Sequence, residues 1–219
     1  MPDGFWWTWW VALASAVATF LAVLVALFGQ SFRAKFFPPL LSLRLVSHEG
    51  ELTTVQLSWR DDEGVTHGRN EEARYYHVCV SNARRWSPAT QVQLFLTQVE
   101  ELGPDGSPQV KWVGAAPFQW RHQEIYPPAR TIGADADSDL CHVVKEKWLE
   151  LHLLVTPFNL EAKRTSACDM ILTLQARANE ADSPVEKIRL AWNGKWDSGS
   201  REMRQHLAIS HLQPSTYGR

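Results

Sequence analysis

The 219-residue chain has little that marks a chemistry. Its three cysteines, Cys79, Cys141 and Cys168, are odd in number and lack any Cys-x-x-Cys spacing. That argues against a secreted disulfide framework and fits reduced thiols in the cytoplasm. There is no Gly-x-Ser-x-Gly elbow, no glycine-rich phosphate loop and no His-Glu-x-x-His pair, so no motif selects a nucleophile, a nucleotide fold or a zinc protease. The chain is therefore expected to be non-enzymatic and to carry no cofactor and no metal. Excess charge is missing as well: 22 Lys and Arg stand against 24 Asp and Glu. A protein held on a nucleic-acid polymer by a basic face is excluded on that balance. Charged residues are only 21% while hydrophobic ones are 45%, which is enough apolar surface for a folded core rather than a disordered chain.

What the chain does have begins at its amino terminus. From Phe5 to Phe28 it reads FWWTWWVALASAVATFLAVLVALF, with no charged residue and with Thr8, Ser15 and Thr19 as the polar side chains. At a helical rise of about 1.5 Å per residue this reaches roughly 36 Å, enough to cross a hydrocarbon core of about 30 Å. Apolar residues run around the whole circumference, unlike a helix on a soluble core. The preceding MPDG carries Asp3 and no cation, which does not suit a cleaved signal peptide. Trp6, Trp7, Trp9 and Trp10 are placed for the headgroup layer, where an indole buries its ring and keeps its N–H hydrated. Arg33 and Lys35 follow the span and Pro38-Pro39 stops the helix. Cations in a short flank favour the cytoplasm, so the remainder of the chain is expected on that side. Ala14, Ala18, Ala22 and Ala26 recur every four residues, a small-residue ridge on which two such helices can pack into a homo-oligomer.

Past the anchor, hydrophobic residues alternate with a period of two: Leu41, Leu43 and Leu45; Val55, Leu57 and Trp59; Val92, Leu94 and Leu96; Leu149, Leu151, Leu153 and Val155; Leu172 and Leu174; Ile188, Leu190 and Trp192; Leu207 and Ile209. Such segments predict half-buried strands, each with one face in the core. Turn chemistry separates them at HEGE (48–51), DDEG (61–64), GPDGSP (103–108), NEADSP (179–184) and NGK (193–195), where Asn193-Gly194 predicts a tight hairpin. Residues 100–139 read as a hairpin followed by a long connection. The fold class is antiparallel all-β, a sandwich or small barrel, and the organisation is an anchor at 1–37, a β domain at 38–213 and a frayed tail at 214–219.

Residues 75–97, YYHVCVSNARRWSPATQVQLFLT, place Asn at a strand end, then a short loop, then Ala and a second alternating strand. That run, with the later TIGADADSDLCHV as a loop entering a short strand, resembles the immunoglobulin-like β-sandwich modules of bacterial surface and adhesion-associated proteins. The resemblance implies a binding or scaffolding fold and transfers no catalytic residue.

Asp135, Asp137 and Asp139 alternate and Glu146 follows, but Leu140 stands where a calcium loop requires Gly, so they are read as a solvated acidic turn. His77, Cys79, Cys141, His142 and Cys168 are scattered singles rather than ligand pairs. Two aromatic and basic clusters remain as candidate ligand-binding residues: Arg84, Arg85 and Trp86 in a loop, and Trp120 and Arg121 with His122, Tyr126 and Arg130 near the long connection. The expected function is a single-pass, membrane-anchored interaction or scaffold module that binds a protein partner at the bilayer. The alternative is an anchored domain that senses a small anionic ligand, such as a nucleotide, through those clusters and signals by oligomerisation.

Overall fold

The computed structural model describes residues 4–60, 63–103, 105–122 and 129–212. Asp3, Tyr126, the Pro127-Pro128 pair, most of the DDEG turn and the 214–219 tail lie outside them, as do the side chains of Arg33 and Trp59. Helix α1 runs Gly4–Phe36, and its stretch Trp6–Ala26 has a mean hydropathy of 2.1 with none of it buried against the rest of the chain. It is long and apolar enough to span a membrane. Thr19 donates its hydroxyl to the Ser15 carbonyl at 2.8 Å, which satisfies that donor within the helix itself.

The strands follow in order: β1 (Leu41–Leu45), β2 (Glu51–Arg60), β3 (Thr66–Asn82), β4 (Ala89–Leu102), β5 (Pro108–Pro117), β6 (Arg130–Ile132), β7 (Asp135–Val144), β8 (Trp148–Leu151), β9 (Lys163–Arg164), β10 (Cys168–Arg177) and β11 (Glu186–Trp192), then a single helical turn α2 (Ser200–Met203) and β12 (Leu207–Leu212). They form two antiparallel sheets. One has the order β1-β3-β7-β8-β9 with β2 also on β3; the other has β12-β11-β10-β4-β5 with β6 on β4. The alternating residues Leu41, Leu43, Val92, Leu94, Leu96, Leu172, Leu174, Ile188 and Leu190 meet in one core, because a period of two sends every second side chain to the same face of its sheet. Trp120, 0% exposed, is among the largest side chains in that core.

Several expectations need correction. β2 alternates as read, yet Val55 and Leu57 are only half-buried and its other described residues are exposed, because β2 with the first part of β3 forms a two-stranded ribbon: β7 pairs with β3 only from Ala73 onward. Asp135, Asp137 and Asp139 are not an acidic turn. They lie in β7, paired with Ser81, Cys79 and His77, and Glu146 sits apart in the β7–β8 turn with φ +52. Asn193-Gly194 does not make a tight hairpin either. Gly194 takes φ +82, but the chain continues through α2 before β12 pairs with β11, and Asn193 N–H closes that loop on the His206 carbonyl at 2.9 Å. Val155 leaves the alternation of β8 and is exposed. The hairpin expected within 100–139 is present as β4 and β5, with Leu102 opposite Pro108, while the stretch expected as a long connection carries β6 and the first half of β7.

Candidate functional site

The polar centre of the molecule lies on the outer face of the first sheet. A β-bulge places it there. Tyr76 pairs with Cys141 and His77 pairs with Asp139, so Leu140 is the extra residue. Leu140 and Cys141 both enter the core, and the bulge turns Asp139 outward beside His77. His152, just past β8, is held by its N–H on the Leu140 carbonyl at 3.0 Å. Asp139 then accepts from both imidazoles, from His77 Nδ1 at 2.8 Å and from His152 Nδ1 at 3.0 Å. Burial pushes the Asp139 carboxyl up, but these two hydrogen bonds outweigh it and hold it down at about 2.

Around this triplet, Tyr75 stacks on His142 with centroids 4.8 Å apart, and His152 stands edge-on to both rings. Burial, aided by His152, lowers the His142 pKa to about 4. Burial and then the charges of Asp139 and Glu150 raise the Tyr75 phenol. Arg121 pairs with Glu51 and lies 3.9 Å from Asp137. Glu51, Thr53, Thr54, Gln56, Arg121 and His122 wall a cleft of about 310 Å³ above Tyr75, His77 and Asp139. His77 is 7% exposed, and its Nε2 is buried with no hydrogen-bond partner, 3.8 Å from Glu51.

With Nδ1 donating to Asp139, neutral His77 offers a lone pair at Nε2 and protonated His77 offers a proton. Such a pair orients a base, which can act on a water or on a protein nucleophile held in reach. Among the described residues no hydroxyl or thiol bonds to that Nε2. The thiols are not activated: burial raises Cys79, Cys141 and, to about 11, Cys168. Among the described residues no group of three or more His, Cys, Asp or Glu side chains is arranged to hold a metal ion. His77 Nε2 is thus a buried polar atom at the floor of the cleft that no described residue satisfies.

The residues singled out in sequence fall in different places. Arg84, Arg85 and Trp86 form the turn after β3, where the chain from α1 enters the domain. Arg84 Nη1 donates to the Pro38 carbonyl at 2.8 Å, and Ser87 Oγ donates to the Phe37 carbonyl at 2.8 Å. Trp86 meets Phe37 edge-on at 5.4 Å. Trp120 is in the core with Arg130 over its ring at 5.7 Å, while Arg121 and His122 reach the cleft. The His77, Asp139 and His152 triplet carried no sequence signal strong enough to find it. A hint was present in the odd-numbered carboxylates of a β7 that reads as a strand once their alternation is taken literally.

Asn82 organises the turn. It is 3% exposed, its Oδ1 accepts from the N–H groups of Leu40 and Arg84, and its Nδ2 donates to the carbonyls of Ser87 and Ile132. Asn82→Asp turns those two donated bonds into a buried oxygen facing two carbonyls and is expected to cost roughly 2–3 kcal/mol. Chemical denaturation of the full chain in detergent checks this, and an unchanged midpoint contradicts it.

No protein-family model matches the chain, and no curated protein matches it either.

Proposed function

We propose that this is a single-pass membrane protein whose β domain faces the cytoplasm and takes a partner protein by strand addition on the free edge of β2, without catalysis. The observation that carries this reading is the ribbon. Among the described residues β2 pairs with β3 alone, and Leu52–Trp59, LTTVQLSW, contains no charge, Pro or Gly. Edge strands in monomers are normally guarded by such residues, and a two-stranded ribbon is marginal in water. An added strand supplies hydrogen bonds for the whole edge. β3 runs from Asn82, beside the anchor junction, to Thr66 at the ribbon tip, roughly 50 Å measured along the strand. The ribbon is thus offered at the end farthest along β3 from the junction, and Thr53, Thr54 and Gln56 lead from its edge into the His77 cleft.

An immunoglobulin-like character of the two sheets belongs to this reading, supported by strand-end Asn82 and the alternating β4. So does association through Ala14, Ala18, Ala22 and Ala26. The anion-sensing alternative has less support, since Trp120 is enclosed in the core and Arg84 is engaged by Pro38.

A photo-crosslinking side chain at Gln56 of the full chain in its native membrane is expected to give a discrete protein adduct. Thr54→Lys should abolish it, because a charge on the edge opposes strand addition, while the same crosslinker at Val110 on β5 gives none. Equal labelling from both positions, or indifference to Thr54→Lys, contradicts edge docking.

A further inference from the structure

The Arg84–Trp86 turn lies where the membrane helix ends, and this position decides what surrounds it. With Trp6, Trp7, Trp9 and Trp10 in the opposite headgroup layer, a hydrocarbon core of about 30 Å takes the helix from Val11 to near Gln30, and the seven residues from Ser31 to Phe37 add roughly 10 Å. The headgroup layer beyond the hydrocarbon is about 5–8 Å deep, so the exit lies at its outer limit and Trp86, whose ring meets Phe37, is within reach of it. The turn is tied to this exit by four hydrogen bonds: Arg84 to Pro38 O, Ser87 to Phe37 O, Ala83 N–H to Leu40 O at 2.9 Å, and Leu40 N–H to Asn82 Oδ1 at 3.2 Å. It cannot swing away without breaking them.

The surface presented there is amphipathic. Phe36, Phe37, Leu40 and Trp86 are 58%, 47%, 51% and 57% exposed, an apolar group at one corner of the chain. Lys35 and Arg85 are exposed beside them. Arg84 faces inward to Pro38, so within the turn the cation that points to solvent is Arg85. Aromatic rings with an adjoining cation are the composition that partitions into a headgroup layer. A cation within a Debye length of about 8–10 Å still feels an anionic leaflet.

We propose that the Arg85-Trp86 turn is a second membrane contact, with the indole among the headgroups and the guanidinium on anionic phospholipid phosphates, so that the domain is docked on the bilayer as well as tethered to it. This goes beyond partner binding at β2 and does not depend on it. The consequence is orientation. A docked turn fixes the direction in which β3 carries the ribbon, whereas a tether alone leaves it free.

The test uses the full chain in vesicles, with a spin label at exposed Ala83 (Ala83→Cys) in a Cys168→Ser background. A second label at Val110, which pairs with Glu100, is eleven residues along β4 from Ala89, roughly 36 Å away. In vesicles containing phosphatidylserine, the label at 83 is expected to collide more with dissolved oxygen than with an aqueous nickel chelate, and the label at 110 the reverse. Arg85→Gln should lower the docked-to-undocked ratio about fivefold, the effect of one cation at an anionic surface, and leave it unchanged in pure phosphatidylcholine. Inorganic phosphate in the buffer should not displace the docked state. A label at 83 as aqueous as the one at 110, or no response to Arg85→Gln combined with Trp86→Ala while the unfolding midpoint is retained, overturns the proposal.

Discussion

Arg74→Ala is expected to cost the β domain roughly 3–5 kcal/mol, from the cavity it leaves and the buried carbonyls it strips of donors. Arg74 is 1% exposed. Its guanidinium is held mainly by carbonyls: Nη1 donates to Glu49 O at 2.9 Å and to Ser200 Oγ at 3.2 Å, and Nη2 donates to Ser198 O at 2.5 Å. One side chain on β3 thereby joins the β1–β2 turn to the loop carrying α2. Gly50 is required in that turn, because at φ +66 a Cβ would lie 2.8 Å from both Arg74 and Tyr76. Truncation leaves several carbonyls without donors and opens a cavity, and both costs act together. Arg74→Met refills much of the volume without restoring the donors, so it should recover only the cavity part. Denaturant unfolding of the full chain in detergent, followed by tryptophan emission, reads both variants. A loss below about 1 kcal/mol for Arg74→Ala would mean that water replaces the guanidinium.

Sequence period reveals which side of a strand is apolar, and it does so well where a second sheet covers that side. Val92, Leu94 and Leu96 and their partners Leu172 and Leu174 are of this kind. β2 has the same period, but nothing in Val55-Gln56-Leu57 records that no sheet faces it; burial is a property of the neighbours. β7 was hidden for the opposite reason. Asp is depleted in strands and enriched in turns, yet three carboxylates are tolerated here because they alternate onto an outer face that supplies His77, Arg44 and Arg121. The anchor was legible because a span must be apolar all round, a demand met by composition alone. The His77, Asp139 and His152 triplet was not, since its hydrogen bonds join residues 62 and 13 positions apart through a bulge that no local pattern announces. The Arg84–Trp86 turn was singled out for its residues, whereas its meaning depends on Asn82 binding the helix exit.

The outer-face cluster should make the domain acid-sensitive in two separable steps. Burial, with His152 beside it, holds His142 at about 4 against an ordinary 6.5. Between those values the unfolded chain binds the proton and the folded chain does not, so stability is full above about 6.5 and falls as pH drops towards 4. The span corresponds to about 3 kcal/mol at most, at roughly 1.4 kcal/mol per unit. Asp139, held at about 2 by His152 and His77 against an ordinary 3.8, contributes stability that is present above about 4 and is lost as pH falls towards 2. Both steps have the same sign and occupy different windows. His142→Phe keeps a ring on Tyr75 and should flatten the upper step alone. Asp139→Asn offers one acceptor oxygen to two imidazole donors, so one of them must change tautomer or go unpaired, and a loss of roughly 1–3 kcal/mol near neutral pH is expected. Urea midpoints at about pH 7, 5 and 3 distinguish the steps. A wild-type midpoint that stays level between the first two would show that His142 is not kept neutral by its burial, and a level Asp139→Asn midpoint at neutral pH would show that water already serves the two histidines.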